Sequence, residues 1–542
     1  MKGKVIVCLI ALVSLLSCVN NDIKAQQNVA LCSDKPRLVV VIMVDNINNE
    51  QLEIVRSRCG KEGFNRIFNH GTQFASAYYD AGGNYAGKNL ATFFTGASAS
   101  VHGIVGEQWV DNFSNKKVHA IYGEAYNQAG VLDTAAVPHN GLLLCSTIGN
   151  EIRKIYNMES KIFSLGFNPN RLLWTSGTKV VEQAAWYDVE KGTMTLLIPD
   201  TLRRWVTEFN SKGLSDIYLD KIWEPKSEHQ EYHQVRYFSK NDSLGAFYHS
   251  LRKPFGSKGK YQLVAGSPWG NSFIRDFAVA TMVYENMGKD EVPDVLMVEF
   301  TATPSCGKKM QPLDAETEDL LLNLDDNIAS LLKFIDHDIG MDNTLIVFSA
   351  SQGAYDVANT DSEHWKSHGA VSLNRATALL NLYLMALHGQ GQWVRNYKSG
   401  EIYLDKELCK ERGVDWDTIL HESAQFLLEV KGIGTAVVAK DVMSYYSDSP
   451  IIEVMRRNYH PRRSGDILIC LEPGWAEEQD DGRELTQLWG HEFVPLCFYG
   501  WKVPRNIVYE RHSMVEVAPT ICSFIRVNKP NGSNGTMLPV IK

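Results

Sequence analysis

The sequence predicts an α/β fold: a doubly wound, mostly parallel sheet flanked by helices. Short, nearly uninterrupted apolar runs recur along the chain, which is typical of strands buried on both faces. Segments of helix length separate these runs, and EDLLLNLDDNIASLLKFID at 318–336 shows the clearest amphipathic period. Together, the two patterns indicate alternating strands and helices around a parallel sheet.

The first predicted strand is RLVVVIMVDN at 37–46, an almost continuous Val/Ile run that ends in an acidic residue. The further strands predicted for this sheet are KIFSLGF (161–167), DVLMVEF (294–300), NTLIVFSA (343–350), DILICLE (466–472) and FVPLCFYG (493–500). Ligands of such sheets bind outside the carboxyl ends of the strands. Asp45, Thr303 and Ser351 fall at these ends, so we expect the chemistry there.

Two regions, roughly 180–270 and 365–465, do not follow the strand–helix alternation. We interpret both as inserted cap subdomains of one domain that spans 37–542. No internal repeat divides the chain further.

The composition excludes some classes of protein. With 542 residues and 44% apolar residues, the chain is long and apolar enough to bury a large core. The net charge of -9 comes from interspersed residues rather than from a charged tail. A basic surface for nucleic acid is therefore not expected.

The N-terminus has the pattern of a secretory signal. Lys2 and Lys4 precede an apolar run at 5–16, which is too short to span a membrane. LLSC resembles a bacterial lipobox, so we predict a signal peptide at 1–17, lipidation of Cys18 and a flexible tether at 18–36. Ordinary cleavage after Ala25 is the alternative. The first outcome gives an outer-membrane lipoprotein, periplasmic or surface-exposed, and the second a soluble periplasmic or secreted protein.

The cysteines beyond the signal lack metal-ligand spacing, and no disulfide pairing can be assigned from them. Cys470 and Cys497 lie in apolar runs, so we expect core thiols.

Several segments resemble, in order, those of the alkaline phosphatase superfamily, in particular its PafA-like branch and the related nucleotide pyrophosphatase/phosphodiesterases. They are VVVIMVDNI (39–47), YAGKNLATFFTGASASVHGIVG (85–106), the acidic helix after Pro312, SASQGA (349–354), NYHPRRSGDILICLEPGW (458–475), HEFVPLCFYG (491–500) and VEVAPTICSFIRVNKPNGSNG (515–535). The resemblance implies an alkaline-phosphatase-like core with two zinc ions held by six Asp and His ligands, and a Thr or Ser nucleophile.

Most of the implied metal ligands are replaced. The first is retained as Asp45, although an Asp at this place could also cap a helix. The other positions are degenerate: Pro304, Lys308, Ser351, Gln352 and Phe493. Cys306 could bind zinc, but a single Cys beside a Lys is more often structural.

The nucleophile position is also altered, since Ala86 stands where the family has Thr or Ser. Thr92 and Thr95 are displaced by one to two helical turns. The phosphate-contacting positions implied by the resemblance are Glu107, Asn168 and Asn170, each of which removes a group that would attract phosphate.

One replacement suggests a compensating charge. A buried carboxylate is costly without a partner, and Lys308 stands where a ligand His is implied. We therefore hypothesise an Asp45–Lys308 ion pair.

These losses predict a pseudoenzyme: an envelope lipoprotein with no cofactor, acting as a scaffold or binding subunit with a protein partner. The alternative is a zinc-dependent phosphatase or phosphodiesterase with relocated ligands, for which the candidates are His102, His139, His364, His368 and His491. A third hypothesis is binding of an anion or sugar, without turnover, through Lys88, Lys308 and Lys309.

Overall fold

A large mixed sheet forms the centre of the protein. The structure is a computed structural model that describes residues 34–82, 85–125, 132, 136–177, 183–196, 203–227, 232, 247–254, 257–305, 313–353, 369–444, 448–478, 484–485 and 489–540. Residues 36–542 form one compact unit.

The strands of the described residues are β1 Leu38–Val44, β2 Thr72–Gly82, β3 Gln108–Val110, β4 Lys117–His119, β5 Ile162–Gly166, β6 Ala184–Asp188, β7 Thr193–Leu196, β8 Ile222–Trp223, β9 His249–Ser250, β10 Asp294–Phe300, β11 Thr344–Ala350, β12 Gly369–Val371, β13 Val394–Lys398, β14 Glu401–Leu404, β15 Ile433–Val438, β16 Ile467–Leu471, β17 Trp475–Glu478, β18 Glu484–Leu485, β19 Trp489–Phe493, β20 Leu496–Gly500 and β21 Asn506–Ser513.

The helices are α1 Asn49–Arg56, α2 Phe64–His70, α3 Ala86–Thr95, α4 Ala99–His102, α5 Ile148–Tyr156, α6 Pro169–Leu172, α7 Arg204–Asn210, α8 Leu214–Leu219, α9 Gln262–Ala265, α10 Pro268–Tyr284, α11 Ala315–Asp338, α12 Leu373–His388, α13 Lys406–Arg412, α14 Trp416–Leu428, α15 Pro450–Asn458 and α16 Val517–Phe524. Short 3-10 turns occupy Met341–Asn343, Ala439–Met443 and Met514–Glu516.

Ten of the described strands form the central sheet, in the order β19-β2-β20-β11-β1-β10-β5-β6-β7, with β21 beside β2. The middle strands β11, β1, β10, β5 and β6 run parallel. Antiparallel strands flank them at both ends. The predicted α/β class, with a mostly parallel sheet flanked by helices, is confirmed.

Strand register sets the position of the candidate site. Val44 at the end of β1 pairs with Phe300 of β10 and with Ala350 of β11. All seven residues of β1 are buried, as expected of a strand with neighbours on both sides. The next residues of the three strands, Asp45, Thr301 and Ser351, therefore meet at one edge of the sheet.

A second lobe, defined here as the described part of residues 369–478, has its own sheet of order β13-β14-β16-β15. Its helices α12 and α14 pack on that sheet around a separate apolar cluster that includes Leu380, Leu427 and Ile469. The run DILICLE was expected in the central sheet, but it forms β16 of this lobe. The region 180–270, in contrast, supplies β6 and β7 to the edge of the central sheet.

Among the residues that the structure describes, no helix combines the length and apolar character needed to cross a membrane. Cys470 and Cys497 are both buried free thiols.

Candidate functional site

Asp45 directly follows β1 and is 5% exposed. Thr301 Oγ1 donates to both carboxylate oxygens, at 3.2 and 3.0 Å, and the Ala302 amide donates to Oδ1 at 2.5 Å. Arg171 Nη1 donates to Oδ2 at 3.2 Å. The carboxylate is thus fixed by the end of β10 on one side and by a guanidinium on the other.

Arg171 lies on the short helix α6, which follows β5 and begins with Pro169 after the N-cap Asn168. Its Nη1 also donates to Glu299 Oε1, at 3.1 Å. Burial disfavours the charge on Arg171, but the Glu299 and Asp45 carboxylates outweigh burial and raise its pKa. One cation therefore joins two buried acids at the carboxyl edge of the sheet.

Glu299 is 1% exposed and lies on β10, in register with Met43 of β1. Burial raises the pKa of Glu299, and the Arg171 charge partly offsets this effect. We call Asp45, Arg171 and Glu299 the ion triad. The hypothesised partner of Asp45, Lys308, lies outside the described residues, and the described cation on Asp45 is Arg171 instead.

The end of β11 carries neutral side chains. Ser351 is fully buried, its amide donates to the Val44 carbonyl, and the Gln352 carbonyl accepts from the Ile47 amide. Asn89 of α3 donates to the Ser351 carbonyl at 3.2 Å. The two predicted degenerate positions thus hold the strand ends together through their backbone.

The side chain that β19 directs toward this edge is Glu492. It accepts from Asn89 Nδ2 at 2.9 Å and from the Gly353 amide at 2.7 Å. Its neighbour across the sheet is Tyr79, whose hydroxyl donates to the Ala350 carbonyl. Glu492 therefore closes the β11 side of the site.

Phe493 and His491 lie on the opposite face of β19, because side chains alternate along a strand. Phe493 is 38% exposed and contacts Tyr78 with ring centroids 6.0 Å apart. His491 meets the Tyr78 ring edge to face, with ring centroids 4.3 Å apart, and its Nδ1 lies 3.4 Å from an Asp80 oxygen. A role for His491 as a relocated ligand at this edge is excluded by this orientation.

Helix α3 begins at Ala86, with its N-terminus beside α6. A Cβ at Gly87 would lie 2.4 Å from Tyr85 Cζ and 2.6 Å from the Asn170 carbonyl oxygen, so this close approach requires glycine. Asn170 Nδ2 is 3.4 Å from Glu107 Oε1, and Asn168 accepts from the Asn170 amide. Among the described residues, the buried Tyr85 hydroxyl has no hydrogen-bond partner.

Thr92 and His102 are paired but do not form an activated nucleophile. Nε2 of His102 lies 3.0 Å from Thr92 Oγ1, while Nδ1 accepts from the Ile104 amide. Because Nδ1 accepts, the neutral ring carries its proton on Nε2 and donates to Thr92. His102 therefore cannot remove a proton from Thr92. Thr95 is directed to the Ala91 carbonyl within its own helix.

Lys88 points into the contact with the second lobe. Its ammonium donates to the Gly82 carbonyl and to Asn458 Oδ1, and burial lowers its pKa to about 8. It is therefore placed to join two parts of the fold rather than to meet an anionic ligand. Lys309, like Lys308, lies outside the described residues.

The described residues do not fit a zinc site, since no three His, Cys, Asp or Glu side chains among them are grouped to hold a metal. Pro304 is a non-ligating residue in the loop after β10. His139 accepts from the Gly141 amide in a loop. Cys306, His364 and His368 lie outside the described residues.

The chain is similar to known proteins along most of its length. A family model described as type I phosphodiesterase / nucleotide pyrophosphatase matches residues 39–493. Alkaline phosphatase PhoV of Synechococcus elongatus is 25% identical over 523 residues, which cover 93% of this chain and 92% of that protein. Alkaline phosphatase PafA of Elizabethkingia meningoseptica is 23% identical over 517 residues, covering 92% and 93%. A Myroides odoratus protein named calcium-transporting ATPase is 25% identical over 525 residues, covering 93% and 94%.

The crystal structure of wild-type PafA superposes with a TM-score of 0.81 at 21% identity, over 94% of this chain and 99% of that chain. Fold and site position thus define a member of the alkaline phosphatase superfamily, in its PafA-like branch. Within it, the chain belongs to the type I phosphodiesterase / nucleotide pyrophosphatase family.

Family membership corrects two predictions. The interpretation as a non-catalytic scaffold is wrong, because the family and the nearly full-length relatives named as alkaline phosphatases are enzymes. The expectation of no cofactor is wrong for the same reason, since this superfamily depends on metal. The poor fit to zinc nevertheless holds for the part of the chain that the structure describes.

Sequence reasoning missed three charged residues of the site: Arg171, Glu299 and Glu492. Glu299 had a visible signal, an acid inside the otherwise apolar run DVLMVEF. Arg171 is adjacent to Asn170, which was assigned to a phosphate-contacting position. An alignment shifted by one residue would have assigned Arg171 to that position instead. Glu492 had no comparable signal, because only the pairing of β19 with β2 shows which face it occupies.

Proposed function

We propose that the protein hydrolyses phosphoric esters, as a phosphatase or phosphodiesterase, at the carboxyl edge of the central sheet. The observation that carries the proposal is the match of over 90% of this chain to over 90% of relatives named as alkaline phosphatases. Because the match covers both chains almost completely, the whole domain that bears activity in those proteins has its counterpart here.

Arg171 is the described group best suited to bind a phosphoryl group. Its Nη1 serves both carboxylates of the ion triad, while Nε and Nη2 have no acceptor among the described residues. The side chain remains 20% exposed. A guanidinium donates to two phosphate oxygens at once, so this free edge would orient the ester.

Helix α3 adds a weaker attraction from the same side. Its N-terminal amides lie next to α6, and the N-terminal end of a helix favours anions. The buried Tyr85 hydroxyl beside it could donate to an ester oxygen, which would give it the partner it lacks.

The attacking group must differ from the hydroxyl implied by the family, since Ala86 has none. We propose direct attack by water, whose oxygen bonds to phosphorus as the bond to the leaving oxygen breaks. Glu107 is a partly exposed carboxylate beside Asn170 and can accept the proton from that water. Because this is a single displacement, no covalent phosphoryl-enzyme intermediate should form. No such intermediate would then be there to transfer its phosphoryl group to an added alcohol.

The test is hydrolysis of p-nitrophenyl phosphate and bis(p-nitrophenyl) phosphate by the purified protein, with added zinc and with chelator. Arg171→Ala and Glu107→Gln should each lower kcat/KM by about 100-fold. Arg204→Ala is the matched control, because Arg204 is 92% exposed on α7 and should leave kcat/KM unchanged.

Two outcomes would contradict the proposal. One is no hydrolysis of either ester under any metal condition. The other is turnover that survives Arg171→Ala unchanged, since the activity would then arise elsewhere or from a contaminant.

The location of the protein is a separate proposal. We propose export and anchoring by lipid on Cys18, supported by the N-terminal charge pattern and the LLSC segment. Globomycin-sensitive processing and loss of membrane association in Cys18→Ser would support an anchor, whereas cleavage after Ala25 would contradict it. A protein partner in the envelope and the absence of nucleic-acid binding remain predictions.

A further inference from the structure

We infer that Arg171 takes the place of a metal ion at Asp45, so that the guanidinium and a divalent cation exclude one another there. The inference concerns the Asp45 position alone and holds whether or not the protein turns over esters. Besides its proposed contact with the ester, Arg171 would then also keep two acids of the site together.

The distances make simultaneous occupancy impossible. Arg171 Nη1 lies 3.2 Å from Asp45 Oδ2 and 3.1 Å from Glu299 Oε1. A zinc–carboxylate bond is about 2.0–2.2 Å long, so a zinc ion between these two oxygens would collide with the guanidinium and be repelled by its charge.

The remaining contacts of Asp45 are also occupied by donors. Oδ1 accepts from the Ala302 amide and Thr301 Oγ1, and Thr301 Oγ1 reaches Oδ2 as well. A metal approaching from the β10 side would have to displace a backbone amide at the end of a buried strand. The only cation that the described residues offer to Asp45 is therefore Arg171.

Glu299 explains why Asp45 is paired with an arginine instead of being left without a cation. This acid adds a second buried negative charge, 1% exposed, next to Asp45. A guanidinium can bridge two carboxylates, while an uncompensated pair of buried acids would be strongly unfavourable. Removal of Arg171 should accordingly leave two carboxylates facing each other, an arrangement that attracts a divalent cation.

The experiment counts bound zinc. Wild type, Arg171→Ala and Arg171→Ala/Asp45→Asn are each equilibrated with zinc, dialysed and assayed for metal per chain. We expect Arg171→Ala to hold one zinc ion more than wild type and the double variant to lose it. Arg171→Lys, which keeps the charge, should match wild type.

A second measurement keeps the inference testable if Arg171→Ala does not fold. Asp45→Asn in the otherwise wild-type chain should leave zinc content unchanged. A lower zinc content in that variant, or no extra zinc in a folded Arg171→Ala protein, would overturn the inference. Because the readout is metal stoichiometry, failure here is distinguishable from failure of the proposed hydrolysis.

Discussion

The two halves of the sheet edge each hold a buried acidic side chain, but by different interactions. At the β1/β10 half, the buried Asp45 carboxylate is kept and paired with Arg171, a cation that it shares with Glu299. At the β11 half, the strand ends in Ser351 and Gln352, and the nearby acid Glu492 is held by an amide side chain and a backbone amide. One half relies on opposite charge, the other on hydrogen bonds.

The difference teaches which half can respond to a ligand. The hydrogen bonds of Glu492 connect the end of β11 to α3 and β19, so this side of the site is fixed. In the ion triad, by contrast, Nε and Nη2 of Arg171 have no acceptor among the described residues. An anionic ligand can therefore still bind there. We expect substitutions in the β1/β10 half (the charged half) to lower stability more than those in the β11 half, which we call the neutral half because its strand ends in Ser351 and Gln352.

The largest effect is expected from Arg171→Ala. The substitution leaves Asp45 and Glu299 buried without their cation, which should lower the free energy of unfolding by about 3–5 kcal/mol. Urea unfolding measures the loss, and Arg204→Ala should cost less than about 0.5 kcal/mol. A loss below about 1 kcal/mol would show that the charged half does not depend on Arg171.

His102 packs against helix α3, which contacts both halves. Its titration should make the free energy of unfolding depend on pH. Burial, aided by Lys88 and Arg463, lowers its pKa to about 3, so the folded state keeps the ring neutral while the unfolded chain titrates near 6.5. The unfolded state then binds more protons, and stability falls as pH drops from 6.5 toward 3. Between pH 6.5 and pH 5 the loss should be about 1.6 kcal/mol, because the unfolded ring is already half protonated at pH 6.5.

Urea unfolding of wild type and His102→Gln at the two pH values checks this. Gln can donate to Thr92 and accept from Ile104 without titrating, so its pH dependence should be smaller by that amount. Equal pH dependence in the two proteins would mean that His102 charges inside the fold.

A smaller effect is expected in the neutral half from Glu492→Ala. It leaves the buried Gly353 amide without its acceptor, at a cost of about 1.5 kcal/mol. Glu492→Gln keeps an acceptor oxygen and should cost less. If Glu492→Ala instead exceeded Arg171→Ala, the proposed ranking of the halves would be reversed.

Ala86→Thr should have the smallest effect, about 1 kcal/mol, which is the low end of the overpacking cost for two atoms added at a buried position that begins a helix. A threonine hydroxyl without an activating base or metal is a weak nucleophile. Intact mass after incubation with an aryl phosphate should therefore show no added phosphoryl group. A phosphorylated Ala86→Thr protein would show that the site can still activate a hydroxyl.

The fold could be predicted because its strongest signal is local. Continuous apolar runs such as those of β1 and β11 identify parallel strands without any knowledge of neighbours. The run now seen as β16 has the same local character, yet it belongs to another sheet. Its assignment depends on pairing with β14 and β15, which hydropathy does not encode.

The site was only partly predictable for a related reason. The position of Asp45 followed from strand polarity, which the sequence shows. Its cation, 126 residues away along the chain, depends on how α6 packs over the sheet edge. A strand period of two puts His491 and Phe493 on one face, but only the register with Tyr78 shows that this face is turned away from the site.

The second lobe has a consequence for how the protein unfolds. Arg463 of this lobe donates to the carbonyls of Gly103 and Leu142 in the main body, and Lys88 reaches Asn458 of α15. These hydrogen bonds are buried, so separating the lobes would break all of them before either apolar cluster lost its packing. The two sheets should accordingly lose their structure in one cooperative calorimetric transition, even though each has a core of its own.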